Sequence, residues 1–267
     1  MRGGAQAHLV EASDGHCYVV KFRNNPQHRR ILVNEWCASV FLDYLEISAP
    51  PVRIVDVTPG FLADHPDVYM QLGPQRLSID TGWHFGSRYP GHPDRLAVYD
   101  FLPDTLLGKV ENRHHFLGVL AADKWLGNAD ARQSIFFRAK VREWMAGSQA
   151  HPLRQGFVTL MIDHGFAFNG PHWEFLDSPV QGLYLRPSVY TELATWNDLS
   201  PWLERIQNCP TEVFDQALRT VPPVWLDGDR DTLEHLLERL YTRRQRVATL
   251  LESCFRERSQ HFPRWRP

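Results

Sequence analysis

Two short segments in the middle of the chain carry side chains suited to handling a charged group. Residues 123–133 read DKWLGNADARQ, a polar loop between a predicted helix and a predicted strand that gathers two carboxylates, two amides and an arginine. Residues 161–168 read MIDHGFAF, so an apolar strand ends at Asp163 and a glycine follows two positions later. A carboxylate at a strand end suits Mg²⁺, because the strand fixes an oxygen ligand and the loop leaves room for water and phosphates. Taken singly, the first segment also fits helix capping and the second an Asp-initiated turn.

Two features near the start of the chain could handle an anion. Small residues directly before the first predicted strand would let backbone N–H groups approach an anion closely, although an ordinary chain terminus explains them equally well. They are Gly3, Gly4, Ala5 and Gln6. Lys21 lies in an apolar run, and Glu35 follows fourteen residues later in a predicted helix. A buried lysine needs an anionic partner, which Glu35 would supply while aiming the ammonium at a phosphate; an edge-strand lysine in water is the alternative.

Short apolar and β-branched runs around one helix make up the first third of the chain. Asp14-Gly15 is a strong tight-turn signal and predicts a β-hairpin around it. Apolar positions recur at helical spacing from Val33 to Leu45, which predicts an amphipathic helix. Further strands are predicted at 52–55, 68–72 and 77–79. Glycine and proline then become frequent, which predicts a hinge near residues 80–95.

The rest of the chain is predicted to be mainly helical. Asn112 can cap a helix with an apolar face, and Gly127 just past its end suits a left-handed C-cap. Two strands are predicted to follow, at 134–138 and 157–162. Apolar residues at helical spacing over 233–254 predict one long helix, and its basic run at 243–246 is expected to be a solvated face.

Length and composition limit the class of protein. The chain has 267 residues, 43% of them hydrophobic and 22% charged, which allows a sizeable core and excludes intrinsic disorder and a disulfide mini-protein. A formal charge of −2 gives no global field that would draw the protein to nucleic acid or anionic lipid. No apolar run reaches the roughly 18 to 20 residues of a membrane span, and no signal-peptide pattern is present. We therefore expect a cytoplasmic protein with reduced cysteines.

In combination and in chain order, these features are the parts of an ATP-dependent kinase. Leu126-Gly127-Asn128-Ala129-Asp130 resembles the Gly-Asn-Thr-Asp catalytic segment of the HipA-like kinase family. Residues 162–168 resemble its metal-binding strand end, which in the related phosphatidylinositol kinases reads Ile-Asp-x-Gly-x-Ala-Phe. The resemblance implies an α+β, two-lobed, protein-kinase-like fold. A small β-rich N-lobe would cover 1–82 and a larger helical C-lobe 83–267, together forming one kinase domain.

The resemblance also implies how ATP would be bound. Lys21 would contact the α- and β-phosphates, and Glu35 would orient the lysine. The glycine-containing segment Gly3-Gly4-Ala5-Gln6 would cover the phosphates. Residues from Ile79 to His84 would lie at the hinge and meet adenine through backbone groups.

For the chemistry, the resemblance implies roles for two aspartates and a metal ion. Asp130 would position the attacking hydroxyl and accept its proton late in the reaction, and Asp163 would hold Mg²⁺. The family's second metal ligand is usually an asparagine five residues after the catalytic aspartate, whereas here Gln133 comes three residues after it. A glutamine also offers an amide oxygen, so its longer side chain could restore the ligand. Asp123 would either support the loop from the preceding helix or be a surface acid.

The expected activity is ATP- and Mg²⁺-dependent transfer of the γ-phosphate to a hydroxyl, and a protein serine or threonine is the family's usual acceptor. A nucleotide-binding pseudokinase that acts as a regulatory or interaction module is the alternative. It is favoured by Gln133 and by a sequence that starts at the glycine segment, without the strand that the family places before it. A metal-dependent hydrolase built on the histidines is a more distant alternative, which no His-Glu-x-x-His or comparable spacing supports. The histidines in question are His114, His115, His151 and His164.

Overall fold

The computed structural model describes residues 4–145 and 150–266, with all the described strands before residue 163 and the ten described α-helices divided evenly between the parts before and after that point. The strands are β1 (His8–Glu11), β2 (Cys17–Lys21), β3 (Val52–Val57), β4 (Tyr69–Leu72), β5 (Gln75–Ser78), β6 (Gly82–Arg88), β7 (Val98–Tyr99), β8 (Gln133–Lys140) and β9 (Gln155–Ile162). The helices are α1 (Arg30–Tyr44), α2 (Pro59–Asp64), α3 (Asp104–Leu107), α4 (His115–Leu126), α5 (Val141–Trp144), α6 (Ser200–Gln207), α7 (Thr211–Thr220), α8 (Pro223–Leu226), α9 (Arg230–Arg243) and α10 (Val247–Glu257). Gly3, which was expected to cover phosphates, lies outside the described residues.

An antiparallel sheet in the order β1-β2-β6-β3 forms the N-terminal part of the fold. β1 and β2 form the expected hairpin, with Leu9 opposite Val19. Because side chains alternate across a strand, Tyr18 and Val20 point to one face, where they join a buried cluster with the β4–β5 hairpin. Val19 and Lys21 point to the opposite face, which looks toward α1 and the second half of the chain.

Strand β6 occupies part of the segment in which a hinge was expected. It is a central strand, paired with both β2 and β3, so residues 83–88 belong to the first sheet and not to the C-lobe. Its glycine serves close packing: a Cβ at Gly86 would come within 2.5 Å of Val55 Cγ2. The expected boundary at 82/83 is therefore too early, and the chain crosses to the second half after Arg88.

Helix α4 is the centre of the second half. Nearly all of its side chains are buried, and Phe116 stacks on Phe136 of the β8–β9 hairpin with ring centroids 6.4 Å apart. Gly127 ends the helix with a φ of 62°, the left-handed cap expected from the sequence. Asn112 is not the N-cap. Its side chain instead makes two hydrogen bonds of 2.9 Å with the backbone of Thr159, because a buried amide must find partners.

The long C-terminal helix expected from the apolar spacing is two helices. α9 ends at Arg243 and α10 begins at Val247, with a 3₁₀ turn between them. Arg243 is buried and not solvated, because its guanidinium donates to the carbonyl oxygens of Lys124 (3.0 Å) and Trp125 (2.9 Å) near the end of α4. Carbonyl groups at the C-terminus of a helix attract a cation, which explains why this arginine turns inward.

No helix within residues 4–145 and 150–266 is long and apolar enough to cross a lipid bilayer. The four cysteines are buried free thiols, as expected. Burial raises the pKa of the Cys37 thiol to about 12. Such a thiol stays protonated and serves as a small core residue.

Candidate active site

Lys21, Glu35 and Asp163 meet between the two halves of the fold. Lys21 is on β2, Glu35 is on α1, and Asp163 directly follows β9, 142 residues from Lys21 along the chain. The Lys21 ammonium donates to Glu35 Oε1 in a close buried contact and to Asp163 Oδ1 at 2.7 Å. Lys21 and Glu35 are buried, whereas the Asp163 side chain is 37% exposed. One cation therefore bridges two carboxylates, and Asp163 is the one open to a ligand.

The charges of this cluster stabilise each other. Burial alone would lower the pKa of Lys21, but the carboxylates of Glu35 and Asp163 raise it above its ordinary value. Burial would raise the pKa of Asp163, and the Lys21 ammonium instead lowers it below its ordinary value. Lys21 is thus charged and Asp163 ionised at neutral pH. Burial raises the pKa of Glu35, an effect that the Lys21 ammonium opposes. The partly exposed Asp163 is therefore the carboxylate of this cluster that a second cation could approach.

The turn after Asp163 fits closely against α1. Asp163 has a left-handed backbone with a φ of 61°, which turns the chain away from the direction of β9. Gly165 follows, where a Cβ would come within 2.6 Å of Ile31 on α1. Asn34, also on α1 and fully buried, donates to the carbonyl oxygens of Gly165 (2.7 Å) and Gly170 (2.9 Å). These contacts therefore fix the position of α1, which carries Glu35, relative to the segment that carries Asp163.

A buried ion pair holds the loop that contains Asp130. Asp123 on α4 and Arg132 before β8 are 1% and 4% exposed, and the guanidinium donates to both carboxylate oxygens at 2.8 and 2.5 Å. Arg132 also donates to the carbonyl oxygen of Ile162 at 2.7 Å, directly before Asp163. Of the two roles left open for Asp123, support of the loop is the one that the geometry fits. Arg132 is a supporting residue that sequence analysis did not single out.

Asp130 is the exposed carboxylate of this loop. Its Oδ1 accepts from the backbone N–H of Ala131 at 2.8 Å, and its own N–H donates to Asn128 Oδ1 at 3.3 Å. Its carbonyl oxygen accepts from the N–H of Gly182 at 2.9 Å. The backbone of Asp130 is thus fixed from both sides while its carboxylate is open to solvent.

Gln133 lies beside Asp163. It begins β8 directly opposite Ile162, and its side chain hydrogen-bonds to the Asp163 carboxylate, which adds to the larger effects of burial and Lys21 on that group's pKa. Both side chains are reachable from solvent and both offer an oxygen atom. Mg²⁺ binds oxygen ligands and keeps several waters, so this donor set fits it. Across the described parts of the chain, no group of three or more His, Cys, Asp and Glu gathers to form another kind of metal site.

Two histidines of the hydrolase alternative, His115 and His164, have structural roles. His164 is buried, with Nδ1 3.0 Å from the Arg132 guanidinium, and burial together with that charge lowers its pKa well below the ordinary value. His115 Nδ1 accepts from the backbone N–H of Ser48 at 2.8 Å. Burial and the neighbouring His114 lower the pKa of His115 to about 4. Each of these rings is a neutral hydrogen-bonding partner of the core, and their positions do not support a hydrolase.

The residues expected to cover phosphates are placed near the Lys21 sheet but make other contacts. Gln6 Nε2 donates to the carbonyl oxygen of Gln71, and Gln6 Oε1 accepts from the N–H of the same residue, both at 2.6 Å. The Gln6 side-chain amide thus makes the pair of hydrogen bonds that a neighbouring strand would make with β4. Gly4 lies against Gln27, where a Cβ would come within 2.2 Å of Nε2, and Ala5 is buried. The Gln27 side chain is flexible and could move, so the contact does not by itself require a glycine at position 4, and the Gln6 side chain is paired with the backbone of Gln71.

Ile79 is a core residue. It is buried and packs with Met70 on the sheet face opposite to Lys21. The connection between the two halves follows Arg88, at the other end of β6. The expectation that Ile79–His84 form the hinge is therefore not met. The last three of these residues belong to strand β6, which the sequence pattern did not predict.

The small antiparallel sheet, the buried lysine–glutamate pair and a strand-end aspartate that contacts this lysine are features of the protein-kinase-like fold. The chain is similar to a solved structure described as the Golgi casein kinase with Mn and ADP bound, with a TM-score of 0.50 and 13% identity over 97% of this chain and 72% of that chain. A model of the HipA-like kinase family matches residues 1–259. The chain therefore belongs to the HipA-like kinase family, and the fold class expected from the loop motifs is confirmed. A search of curated proteins gave no match.

Proposed function

We propose that this chain is an ATP- and Mg²⁺-dependent kinase that transfers the γ-phosphate to the hydroxyl of a protein serine or threonine. The observation that carries the proposal is the Lys21 ammonium, held by buried Glu35 and touching the exposed Asp163. Phosphoryl transfer depends on positioning and charge neutralisation more than on covalent chemistry, and these groups supply both. Membership of a kinase family and likeness to a kinase crystallised with Mn and ADP support the use of a nucleotide and a divalent metal.

ATP would lie against the sheet face that bears Lys21. Leu9 and Val19 pair across β1 and β2 on that face, and Val19 is two residues from Lys21. Leu9 is 39% exposed and Val19 is partly buried, so an apolar surface is open to the flat face of adenine. Residues 89–95, which follow β6 and lead to the second half, would meet the edge of the base through backbone groups. This segment takes the place of Ile79–His84 in the proposal.

The remaining groups would act on the phosphates and the acceptor. Asp163 and Gln133 would hold Mg²⁺, which neutralises phosphate oxygens when bound. Lys21, oriented by Glu35, would pair with phosphate oxygens. Asp130 would accept a hydrogen bond from the acceptor hydroxyl and align it for attack. As the new oxygen–phosphorus bond forms and the bond to the departing ADP breaks, Asp130 would take up the hydroxyl proton.

Calorimetric titration of ATP with and without Mg²⁺ tests the nucleotide site. We expect wild-type protein to bind ATP more tightly with Mg²⁺, and Asp163→Asn to lose most of this enhancement because the proposed metal ligand loses its charge. Asp80→Asn is the matched control, since Asp80 is an exposed residue paired with Arg23 at 3.2 Å, outside the Lys21 cluster. A folded wild-type protein that does not bind ATP would contradict the proposal.

Transfer of radiolabelled γ-phosphate to a panel of acceptor proteins tests the catalytic group. Asp130→Asn is expected to lower the transfer rate by about 10² to 10⁴ while leaving ATP affinity unchanged, because Asp130 makes no contact with Lys21 within the described residues. Asp215→Asn, an exposed position on α7, should transfer at the wild-type rate. ATP binding without transfer to any acceptor would instead favour the pseudokinase.

A further inference from the structure

An apolar surface borders the loop that carries Asp130. We call it the apolar strip; it consists of Val180 and Leu185 after β9 and Phe101 after β7, which are 40%, 66% and 59% exposed. Phe101 lies near Leu185, because the guanidinium of Arg186, the next residue in the chain, lies 4.5 Å from the centre of its ring. Single exposed apolar residues are common on protein surfaces, but several large ones beside a functional loop indicate a binding surface.

The strip is attached directly to the Asp130 loop. The N–H of Gly182 donates to the carbonyl oxygen of Asp130 at 2.9 Å, and the N–H of Arg132 donates to that of Leu183 at 3.2 Å. Leu185 is three residues from Gly182, a separation that spans at most about 11 Å. Since an extended polypeptide advances about 3.4 Å per residue, Leu185 lies within roughly five residues of a hydroxyl held at Asp130.

Lys124 on α4 keeps this segment in place. Its buried ammonium donates to three backbone carbonyl oxygens, those of Ser178 (3.1 Å), Pro179 (2.9 Å) and Gln181 (2.7 Å). Gly182 allows the close approach to α4, because a Cβ there would come within 2.1 Å of Asp123 Cβ. The strip is therefore preformed, and a partner that binds it does not have to order a loop first.

The charged side chains of this segment already have partners. Within residues 176–186 the charged residues are Asp177 and Arg186. Asp177 pairs with Arg243 at 2.5 Å, and Arg186 pairs with Asp104 at 2.5 Å. A polypeptide that lies along the strip would thus meet apolar side chains and no unpaired charge from this segment.

We propose that the apolar strip binds the acceptor polypeptide through an apolar side chain located within about five residues of the serine or threonine that receives the phosphate. The inference rests on the proposed kinase function and adds a class of acceptor to it. An apolar residue buried against Leu185 and Phe101 would gain hydrophobic contact, whereas a charged residue would lose hydration without finding a partner.

An oriented library of serine- and threonine-centred peptides, each with one flanking position fixed, tests this inference. Wild-type protein is expected to phosphorylate peptides with Leu, Ile or Phe at a position within five residues of the acceptor at least about tenfold faster than those with Asp or Lys there. Leu185→Asp should remove this preference and raise the KM for apolar peptides about tenfold. Leu153→Asp, which replaces a leucine 71% exposed before β9, should keep the preference.

Equal labelling of apolar and charged peptides, or a preference that persists in Leu185→Asp, would overturn the inference. Labelling of no peptide by a protein that binds ATP with Mg²⁺ would also overturn it, while the kinase proposal would still be decided by its own assay with whole proteins. Failure to bind ATP would overturn the proposed function and this inference together. Sedimentation velocity adds a further outcome, since dimers that Leu185→Asp abolishes would assign the strip to a second copy of the chain.

Discussion

Replacement of Arg132 by methionine tests how firmly the Asp130 loop is held. Arg132 and Asp123 are almost fully buried, and the arginine makes two hydrogen bonds to the carboxylate and one to the carbonyl oxygen of Ile162. Arg132→Met has similar length but leaves the Asp123 charge buried without its partner. Removal of one member of a buried ion pair costs about 3–5 kcal/mol, so we expect the free energy of unfolding to fall by that amount.

Urea-induced unfolding, followed by circular dichroism, measures this loss. Arg138→Met is the matched control, because Arg138 is exposed on the same strand, β8, with its guanidinium 5.9 Å from the Phe157 ring, and its loss should cost less than about 1 kcal/mol. The double variant Asp123→Leu/Arg132→Met should be more stable than the sum of the single losses predicts, because it leaves no unpaired charge. A loss below about 1 kcal/mol in Arg132→Met, or strict additivity in the double variant, would refute the reasoning.

Three further predictions concern pH and packing. His115 has a folded-state pKa of about 4, below the ordinary 6.5, so folding favours its neutral form. The free energy of unfolding should therefore fall as the pH drops from 6.5 toward 4, with a loss of about 2 kcal/mol at pH 5. Urea unfolding at pH 7 and pH 5 measures this loss, which should be absent in His115→Gln. Parallel pH profiles for the two proteins would contradict this. Asn34→Ala should lower the free energy of unfolding by about 2–4 kcal/mol, because it removes two buried hydrogen bonds and the acceptor of Trp173 Nε1. Ser39→Ala on the same helix should lower it by less than about 1 kcal/mol. Equal urea midpoints for the two variants would contradict this prediction. Gly182→Ala should lower the melting temperature far more than Gly228→Ala, since both positions have a positive φ but only the first Cβ would meet another atom; similar shifts would show that backbone strain alone decides.

Elements determined by their own residues could be predicted from the sequence. The β1–β2 hairpin follows from Asp14-Gly15, and α1 follows from apolar spacing. Strand β6 could not be predicted, because the fit of Gly86 against Val55 depends on a strand about thirty residues earlier, and in isolation a glycine suggests a turn. The end of α9 depends in the same way on Arg243, which bonds to a carbonyl 118 residues before it.

The same distinction between local and long-range contacts decides which features of the candidate site could be predicted from the sequence. A lysine in an apolar strand predicts a buried anionic partner, and the Lys21–Glu35 contact is present. The contact of Lys21 with Asp163 joins residues 142 positions apart, and neither the sequence pattern nor the family resemblance predicted it. Ile79 was assigned wrongly to the hinge because the boundary had been placed too early. Arg132 and Asn34 bond largely to backbone groups or to buried partners that sequence patterns do not display, and the roles of all these residues in catalysis remain predictions.

The contact between Lys21 and Asp163 has a consequence for how ligands would enter the cleft. Each group satisfies part of the charge of the other, so a cation that binds Asp163 would displace an existing partner and leave the ammonium with Glu35 as its remaining anion. Phosphate oxygens would replace Asp163 as a partner of the Lys21 ammonium. Lys21 and Asp163 would therefore both be fully paired only when nucleotide and metal are bound together. Under the proposed function, metal and nucleotide would therefore be thermodynamically linked, each raising the affinity of the other by the same factor. The protein would then bind metal or nucleotide alone more weakly than the two together, without any conformational change.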